Sequence, residues 1–124
     1  MKKSSAFLWI LFTLFVFSGC KDQKGREELF VDYTNPELDY EGRIDTSRVN
    51  AAALYWSGTS IRINFQGESI EVLMRESRGD NYYNVIIDQD SLFILRPDTL
   101  KQFHMLASGL SPGSQTVELF KRTE

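Results

Sequence analysis

Cysteine and histidine are nearly absent from this chain of 124 residues. Cys20 is the only cysteine, so no internal disulfide can form and no cysteine pair can hold a structural zinc ion. His104 is the only histidine, which leaves no cluster of ring ligands for a metal. These absences exclude a disulfide scaffold, and we expect the domain to have neither a metal nor another cofactor.

The chain also lacks an excess of basic residues and any convincing helical period beyond its N-terminal segment. It carries 17 acidic and 14 basic side chains, and removal of Lys2 and Lys3 with a leader would make the balance more acidic. A nucleic-acid partner would require a basic stripe, so this class of function is excluded. Short segments with alternating polarity are frequent instead, and they predict an all-β domain.

The N-terminal segment resembles a bacterial lipoprotein signal peptide. Lys2 and Lys3 precede an apolar run over residues 6–17, which is too short for a resident membrane helix but suits a cleaved signal helix. Phe17-Ser18-Gly19-Cys20 resembles a lipobox, although Phe17 stands where leucine is usual. We expect cleavage before Cys20 and acylation of that residue; an ordinary secretory peptide with a chance cysteine is the alternative.

Three segments follow from this reading. Residues 1–19 are predicted to be the signal peptide, residues 20–38 a flexible tether, and residues 39–124 a β-sandwich. The tether mixes both charge signs without apolar spacing, and Leu29-Phe30-Val31 within it is predicted as a short first strand. The predicted location is the cell envelope, as an outer-membrane lipoprotein that faces either the periplasm or the outside.

The strongest β pattern lies between Ser60 and Asp88. Residues 60–66, 69–75 and 81–88 alternate apolar and polar side chains, and we expect them to form a meander of neighbouring strands. Further strands are predicted over residues 40–45, 51–56, 91–95, 101–106 and 115–122, with a tight hairpin at Gln89-Asp90. About eight short strands separated by turns indicate an antiparallel sandwich or jelly roll.

Candidate catalytic residues are few. Gln89-Asp90-Ser91-Leu92 is one residue away from the Gly-Asp-Ser-Leu block of a hydrolase superfamily, but Ser91 stands between two predicted strands instead of before a helix. His104 has apolar neighbours, which favours a structural position at a sheet edge. We therefore predict no catalytic residue. An enzyme that uses Ser91 and His104 remains an alternative hypothesis.

Two further motifs have simple explanations. Asp88 and Asp90 offer too few oxygens for a calcium ion and are predicted to be solvated turn residues. Arg78-Gly79-Asp80 matches the integrin-binding tripeptide, which we interpret as a chance match.

Aromatic residues exceed what one small core requires. Alternation places Tyr82 and Tyr83 on opposite faces of a strand, so one amphipathic ring must face outward. The predicted contacts with a partner or a glycan are Trp56, Tyr82, Tyr83 and Tyr40; the alternative is that these rings fill the core and its rim.

Five motifs occur in order between Tyr40 and Glu124. They are Gly42-Arg43-Ile44-Asp45, Trp56-Ser57-Gly58-Thr59-Ser60-Ile61, Asn81-Tyr82-Tyr83-Asn84-Val85-Ile86-Ile87-Asp88, Gly109-Leu110-Ser111-Pro112-Gly113 and Val117-Glu118-Leu119-Phe120-Lys121-Arg122-Thr123-Glu124. With this order and spacing the segment resembles the N-terminal β-sandwich of carbohydrate esterase family 2.

The resemblance implies a role without catalysis of its own. In that family the jelly roll precedes an α/β domain of the SGNH-hydrolase type, which removes acetyl groups from plant polysaccharides and carries the nucleophile and its histidine. It implies an accessory domain of an acetylxylan-esterase-like enzyme, separated from its catalytic domain. The expected partners are an SGNH-type hydrolase domain in the same or an adjacent chain, plant polysaccharide, and the membrane through the lipid anchor. The alternative is a free-standing carbohydrate-binding lipoprotein.

Overall fold

The computed structural model describes residues 28–122, which contain strands and turns but no helix. Consequently no described helix is long and apolar enough to cross a membrane. The predicted signal peptide and Cys20 lie outside the described residues. The strands are β1 Asp39–Glu41, β2 Ile44–Asp45, β3 Ala53–Leu54, β4 Ser60–Gln66, β5 Ile70–Met74, β6 Tyr83–Ile87, β7 Ser91–Leu95, β8 Gln102–Ala107 and β9 Ser114–Lys121.

Five of these strands form the main sheet, in the order β1-β4-β9-β6-β7. Every neighbouring pair in it is antiparallel, and β9 pairs with β4 along its length, from Ser60 opposite Phe120 to Gln66 opposite Ser114. Strand β9 comes last in the chain but occupies the middle of the sheet. The main sheet therefore depends on pairings between residues far apart in sequence.

The predicted meander is wrong in its pairing, although its three strands exist. Strands β4 and β6 share the main sheet with β9 between them, whereas β5 pairs with β8 in a separate two-stranded sheet. Alternating polarity indicates which side chains face the core, but it does not identify the neighbouring strand. In the structure the apolar side chains of β5 pack against the core residues of the main sheet, across the sandwich.

Two predicted strands near the N-terminus also differ from the structure. Residues 29–31 form no strand. The segment over residues 40–45 divides into β1 and β2 at Gly42, whose φ of +95° is a left-handed conformation that favours glycine. A Cβ atom there would lie 2.8 Å from Thr59 Cγ2, so the close approach also requires glycine. The strand predicted over residues 51–56 is reduced to β3.

The core lies between the main sheet and the shorter strands. Its buried residues are Tyr83, Val85, Leu106, Val117 and Leu119. Partly buried side chains from both layers pack against them. The main sheet contributes Phe65, Ile87 and Leu95, and the shorter strands contribute Leu54 of β3 and Ile70, Val72 and Met74 of β5. Two layers around one apolar core confirm the prediction of an all-β antiparallel sandwich.

The segment just before β1 contains successive turns. Asn35 N donates to Asp32 O at 2.9 Å, and Leu38 N donates to Asn35 O at 3.1 Å. The Tyr40 hydroxyl donates to Tyr33 O at 2.7 Å, which ties this segment to the edge strand β1.

Candidate functional site

One end of the main sheet carries three exposed aromatic residues, Tyr55, Trp56 and Tyr82. Strands β4 and β6 begin there and β9 ends there. Gly58 N donates to Lys121 O and Lys121 N donates to Thr59 O, both at 2.9 Å, and Arg122 N donates to Tyr82 O at 2.9 Å. These bonds place the turn before β4, the end of β9 and the residue before β6 side by side.

Three rings at this end each lie against an arginine. We call the rings and their arginines the aromatic end. Trp56 is 58% exposed and Tyr82 is 40% exposed, so both keep ring surface for a further contact. The guanidinium-to-centroid distances are 5.6 Å for Arg43 over Trp56, 5.5 Å for Arg48 over Tyr55 and 5.7 Å for Arg96 over Tyr82. Each such pair contributes roughly 0.5–1 kcal/mol at an exposed position.

A buried lysine supports this arrangement from below. Lys121 is only 4% exposed, and its Nζ donates to Leu54 O at 2.8 Å and Tyr55 O at 3.3 Å. The Thr59 hydroxyl donates to Trp56 O at 2.8 Å and closes the adjacent turn. Because β9 supplies the lysine, the segment that carries Tyr55 and Trp56 is attached directly to the central strand.

The structure separates the four predicted contact residues. Trp56 and Tyr82 are exposed at the aromatic end. Tyr83 is a correction: it is 3% exposed because it opens β6 on the core side, so its ring does not reach a surface ligand. Burial, with a smaller effect from Glu76, raises the pKa of Tyr83 to about 12. Tyr40 is half-buried, and burial together with Asp32 and Tyr33 raises the pKa of its hydroxyl.

Sequence reasoning missed the arginines. Arg43, Arg48 and Arg96 are each separated from their ring partners along the chain, and their own neighbours carry no periodic signal that would pair them. The excess of aromatic residues was the one available indication.

A groove lies next to the aromatic end, where two loops meet. It has a volume of about 480 Å³, and we call it the arginine groove. Glu76 N donates to Asp98 O at 2.8 Å and joins the two loops. Hydrogen bonds from the Thr99 and Leu100 backbones and from the Thr99 hydroxyl lower the pKa of Asp98. The lining residues are Arg78, Gly79, Arg96, Pro97, Asp98, Thr99, Gln102 and His104.

Ser91 and His104 are not brought together in the groove. His104 lines it, whereas Ser91 does not. Ser91 begins β7 opposite Ile87, whereas Arg96, which lines the groove with His104, follows the other end of that strand. Ser91 and Arg96 are therefore about 16 Å apart along the extended backbone. The structure therefore assembles no pair of nucleophile and base from these two residues.

The carboxylate of Asp88 accepts a hydrogen bond from the backbone. Asp88 Oδ1 accepts a hydrogen bond from Thr116 N at 2.8 Å. Within residues 28–122 there is no group of three His, Cys, Asp or Glu side chains that could hold a metal ion.

Comparisons with known proteins point to one family. Residues 40–124 match the family described as carbohydrate esterase 2 N-terminal. The cellulase/esterase CelE of Acetivibrio thermocellus is 34% identical over 93 residues, which cover 75% of this chain and 11% of that protein. The chain thus spans a small part of this curated relative.

Solved structures agree in fold. A family two carbohydrate esterase from Cellvibrio japonicus is 22% identical with a TM-score of 0.70, over 76% of this chain and 28% of that chain. A family two carbohydrate esterase from Clostridium thermocellum, solved in complex with cellohexaose, is 32% identical with a TM-score of 0.65, over 70% of this chain and 26% of that chain. The similarity covers about a quarter of each enzyme.

Proposed function

Since the chain belongs to the carbohydrate esterase 2 N-terminal family, we propose that it is the non-catalytic accessory domain of an acetylxylan-esterase-like enzyme. In this proposal the aromatic end docks to the SGNH-type hydrolase domain. The observation that carries it is the position of two exposed rings, Trp56 and Tyr82, on either side of the backbone where β9 leads out of the domain. A following domain would meet these rings first.

The composition of the aromatic end suits a protein contact. Tyrosine, tryptophan and arginine are the residues most enriched at the centres of interfaces. Each arginine over a ring is already oriented, so little conformational entropy is lost when a partner covers the pair.

The separation of Ser91 from His104 supports a role without catalysis. General base catalysis requires the base within hydrogen-bond reach of the nucleophile, and these residues belong to different places on the sandwich. Acetyl-ester hydrolysis is therefore assigned to the hydrolase domain.

Anchoring through Cys20 is part of the same proposal. Two or three acyl chains on this residue would hold the protein durably at the outer membrane in the cell envelope, because one chain alone gives only marginal binding. Replacement of Cys20 by alanine is expected to move the protein from the membrane fraction to the soluble fraction. A membrane fraction that is unchanged by this replacement would contradict the anchor.

The docking proposal is tested with the mature chain and the hydrolase domain of the Clostridium thermocellum relative, by titration calorimetry. Trp56→Ala and Tyr82→Ala should each weaken the complex about tenfold, as truncations of central aromatic contacts do. Leu92→Ala is the control, since Leu92 is 60% exposed and lies opposite Ile86, toward the other end of the main sheet. Equal weakening by all three variants would contradict docking at this end.

A free-standing carbohydrate-binding lipoprotein is the second candidate. It is favoured by the exposed rings and by the cellohexaose complex of the Clostridium thermocellum relative. Affinity electrophoresis of the mature chain on xylan separates the two functions: retardation that Trp56→Ala abolishes supports glycan binding, and unchanged mobility supports a docking role.

A further inference from the structure

We propose that the arginine groove binds a carboxylated sugar, a uronic acid unit of an acidic glycan. The inference rests on the proposed function in one respect, the choice of a glycan as the ligand. The groove shares one residue with the aromatic end, because Arg96 lines the groove and also lies over Tyr82, whereas the other lining residues lie outside the aromatic end.

Two guanidinium groups in the groove are available for a carboxylate. Among residues 28–122 the ion pairs within 4.0 Å all involve Arg62, so neither Arg78 nor Arg96 is paired with a described carboxylate. The planar guanidinium matches a carboxylate with two parallel hydrogen bonds, which makes arginine well suited to recognise this group.

Arg96 is held in position before any ligand arrives. Its Nε donates to Gly79 O at 2.8 Å, and its guanidinium carbon lies 5.7 Å from the centroid of the Tyr82 ring. These contacts do not use its two terminal nitrogens, which are the atoms that bind carboxylates in pairs. A positioned arginine loses less entropy on binding than a free one.

The loop that carries Arg78 is fixed from the core side. Asn81 Nδ2 donates to Glu76 Oε2 at 2.6 Å, and both residues are buried. The loop between them therefore starts and ends on a buried hydrogen bond, which holds Gly79 against Arg96. The hydrogen bonds therefore fix the backbone along this wall of the groove, which is open to solvent.

The remaining lining groups favour a sugar over a bare anion. Asp98 carries a carboxylate in the groove, which repels a dianion such as phosphate more strongly than the single charge of a uronate. Its Oδ1 accepts from Thr99 and Leu100, which leaves Oδ2 to accept a hydrogen bond from a sugar hydroxyl. Thr99 and Gln102 add uncharged donors and acceptors. The groove has a volume of about 480 Å³ and is open to solvent. A molecule with one carboxylate and several hydroxyls matches this lining.

The test compares two xylo-oligosaccharides of the same backbone, one with and one without a glucuronic acid branch, by titration calorimetry on the mature chain. We expect the acidic sugar to bind at least about tenfold more tightly at low salt. Arg78→Gln and Arg96→Gln should each remove most of this preference. Arg75→Gln is the matched control, because this exposed residue loses the same charge nearby but does not line the groove.

Three results would overturn the inference: equal or undetectable binding of the two sugars, equal loss in Arg75→Gln, or competition by inorganic phosphate as strong as that of the acidic sugar. Near-ultraviolet circular dichroism of each variant shows whether the fold is intact. Arg78→Gln should leave binding to the hydrolase domain unchanged, so a failure of the groove is distinguishable from a failure of the docking proposal.

Discussion

At the scale of single residues, adjacent side chains take different roles because they face different layers. Tyr82 precedes β6 and lies at the surface beneath Arg96, whereas Tyr83 opens the strand and enters the core. Alternation places Tyr83 on the apolar face with Val85 and Ile87, which indicates that Tyr83 is the inner ring even though it was also predicted as a contact residue. The structure agrees, because Tyr83 and Val85 lie in the core together with Val117 and Leu119 of the neighbouring strand β9.

The buried hydroxyl of Tyr83 predicts a loss of stability at alkaline pH. The folded-state pKa is raised to about 12, while an exposed tyrosine ionises near 10, so the unfolded chain releases this proton first. The free energy of unfolding should therefore fall as pH rises from about 10 to 12. Tyr83→Phe should remove this part of the fall, which urea titrations at pH 9, 10 and 11 would measure. Identical pH dependence of the two proteins would contradict the assignment.

Lys121 predicts a second residue-scale effect. Lys121→Met keeps much of the apolar stem but removes the donor to Leu54 O and Tyr55 O. We expect a loss of about 1–2 kcal/mol in the free energy of unfolding, because carbonyls that accept from a charged donor lose their partner. Urea denaturation measures it, with Lys101→Met as an exposed control that should change stability little. Equal effects of the two substitutions would show that the buried bonds contribute nothing.

At the scale of elements, local patterns predicted the strands and long-range pairing decided their neighbours. The alternation over residues 60–66 and 81–88 and the turn at Gln89-Asp90 predicted β4, β6 and the hairpin to β7, all of which form, with β6 shorter than predicted at Tyr83–Ile87. The pairing of β5 with β8 and the insertion of β9 could not be derived, because each strand has one apolar face that several arrangements would bury equally. The same limit applies to the candidate sites. Trp56 and Tyr82 were predicted as contact residues from the sequence, but the arginine groove was not, because it is formed by two loops that are distant in sequence.

The hairpin between β6 and β7 predicts a stabilising substitution. Asp88 and Gln89 have φ values of +50° and +60°, and Asp90 N donates to Ile87 O at 3.0 Å, as in a type I′ turn. Glutamine is strained in this conformation and glycine is not, so Gln89→Gly should raise the free energy of unfolding by about 0.5–1 kcal/mol. Gln102→Gly within β8 is the control and should lower it. A decrease in both variants, measured by thermal unfolding, would refute the argument from turn strain.

At the scale of the whole molecule, the order of the main sheet makes folding depend on its last strand. Strand β9 contributes Val117 and Leu119 to the core and pairs with β4 on one side and β6 on the other. Without it the two halves of the sheet have no backbone partner and the core loses its central residues. Such long-range pairing also delays folding until the chain closes a large loop.

A chain that ends at Gly113 is therefore expected to remain unfolded, with no β-sheet signal in the far-ultraviolet circular dichroism and no tertiary signal in the near-ultraviolet. A synthetic peptide of residues 114–122 should restore both signals, because it can enter between β4 and β6 with the register that the intact chain uses. A peptide with Val117→Lys and Leu119→Lys keeps the backbone groups but places two charges in the core, and it should not restore them. If the shortened chain folded alone, the remaining strands would have to close the sheet by another pairing, and the central role of β9 would be refuted.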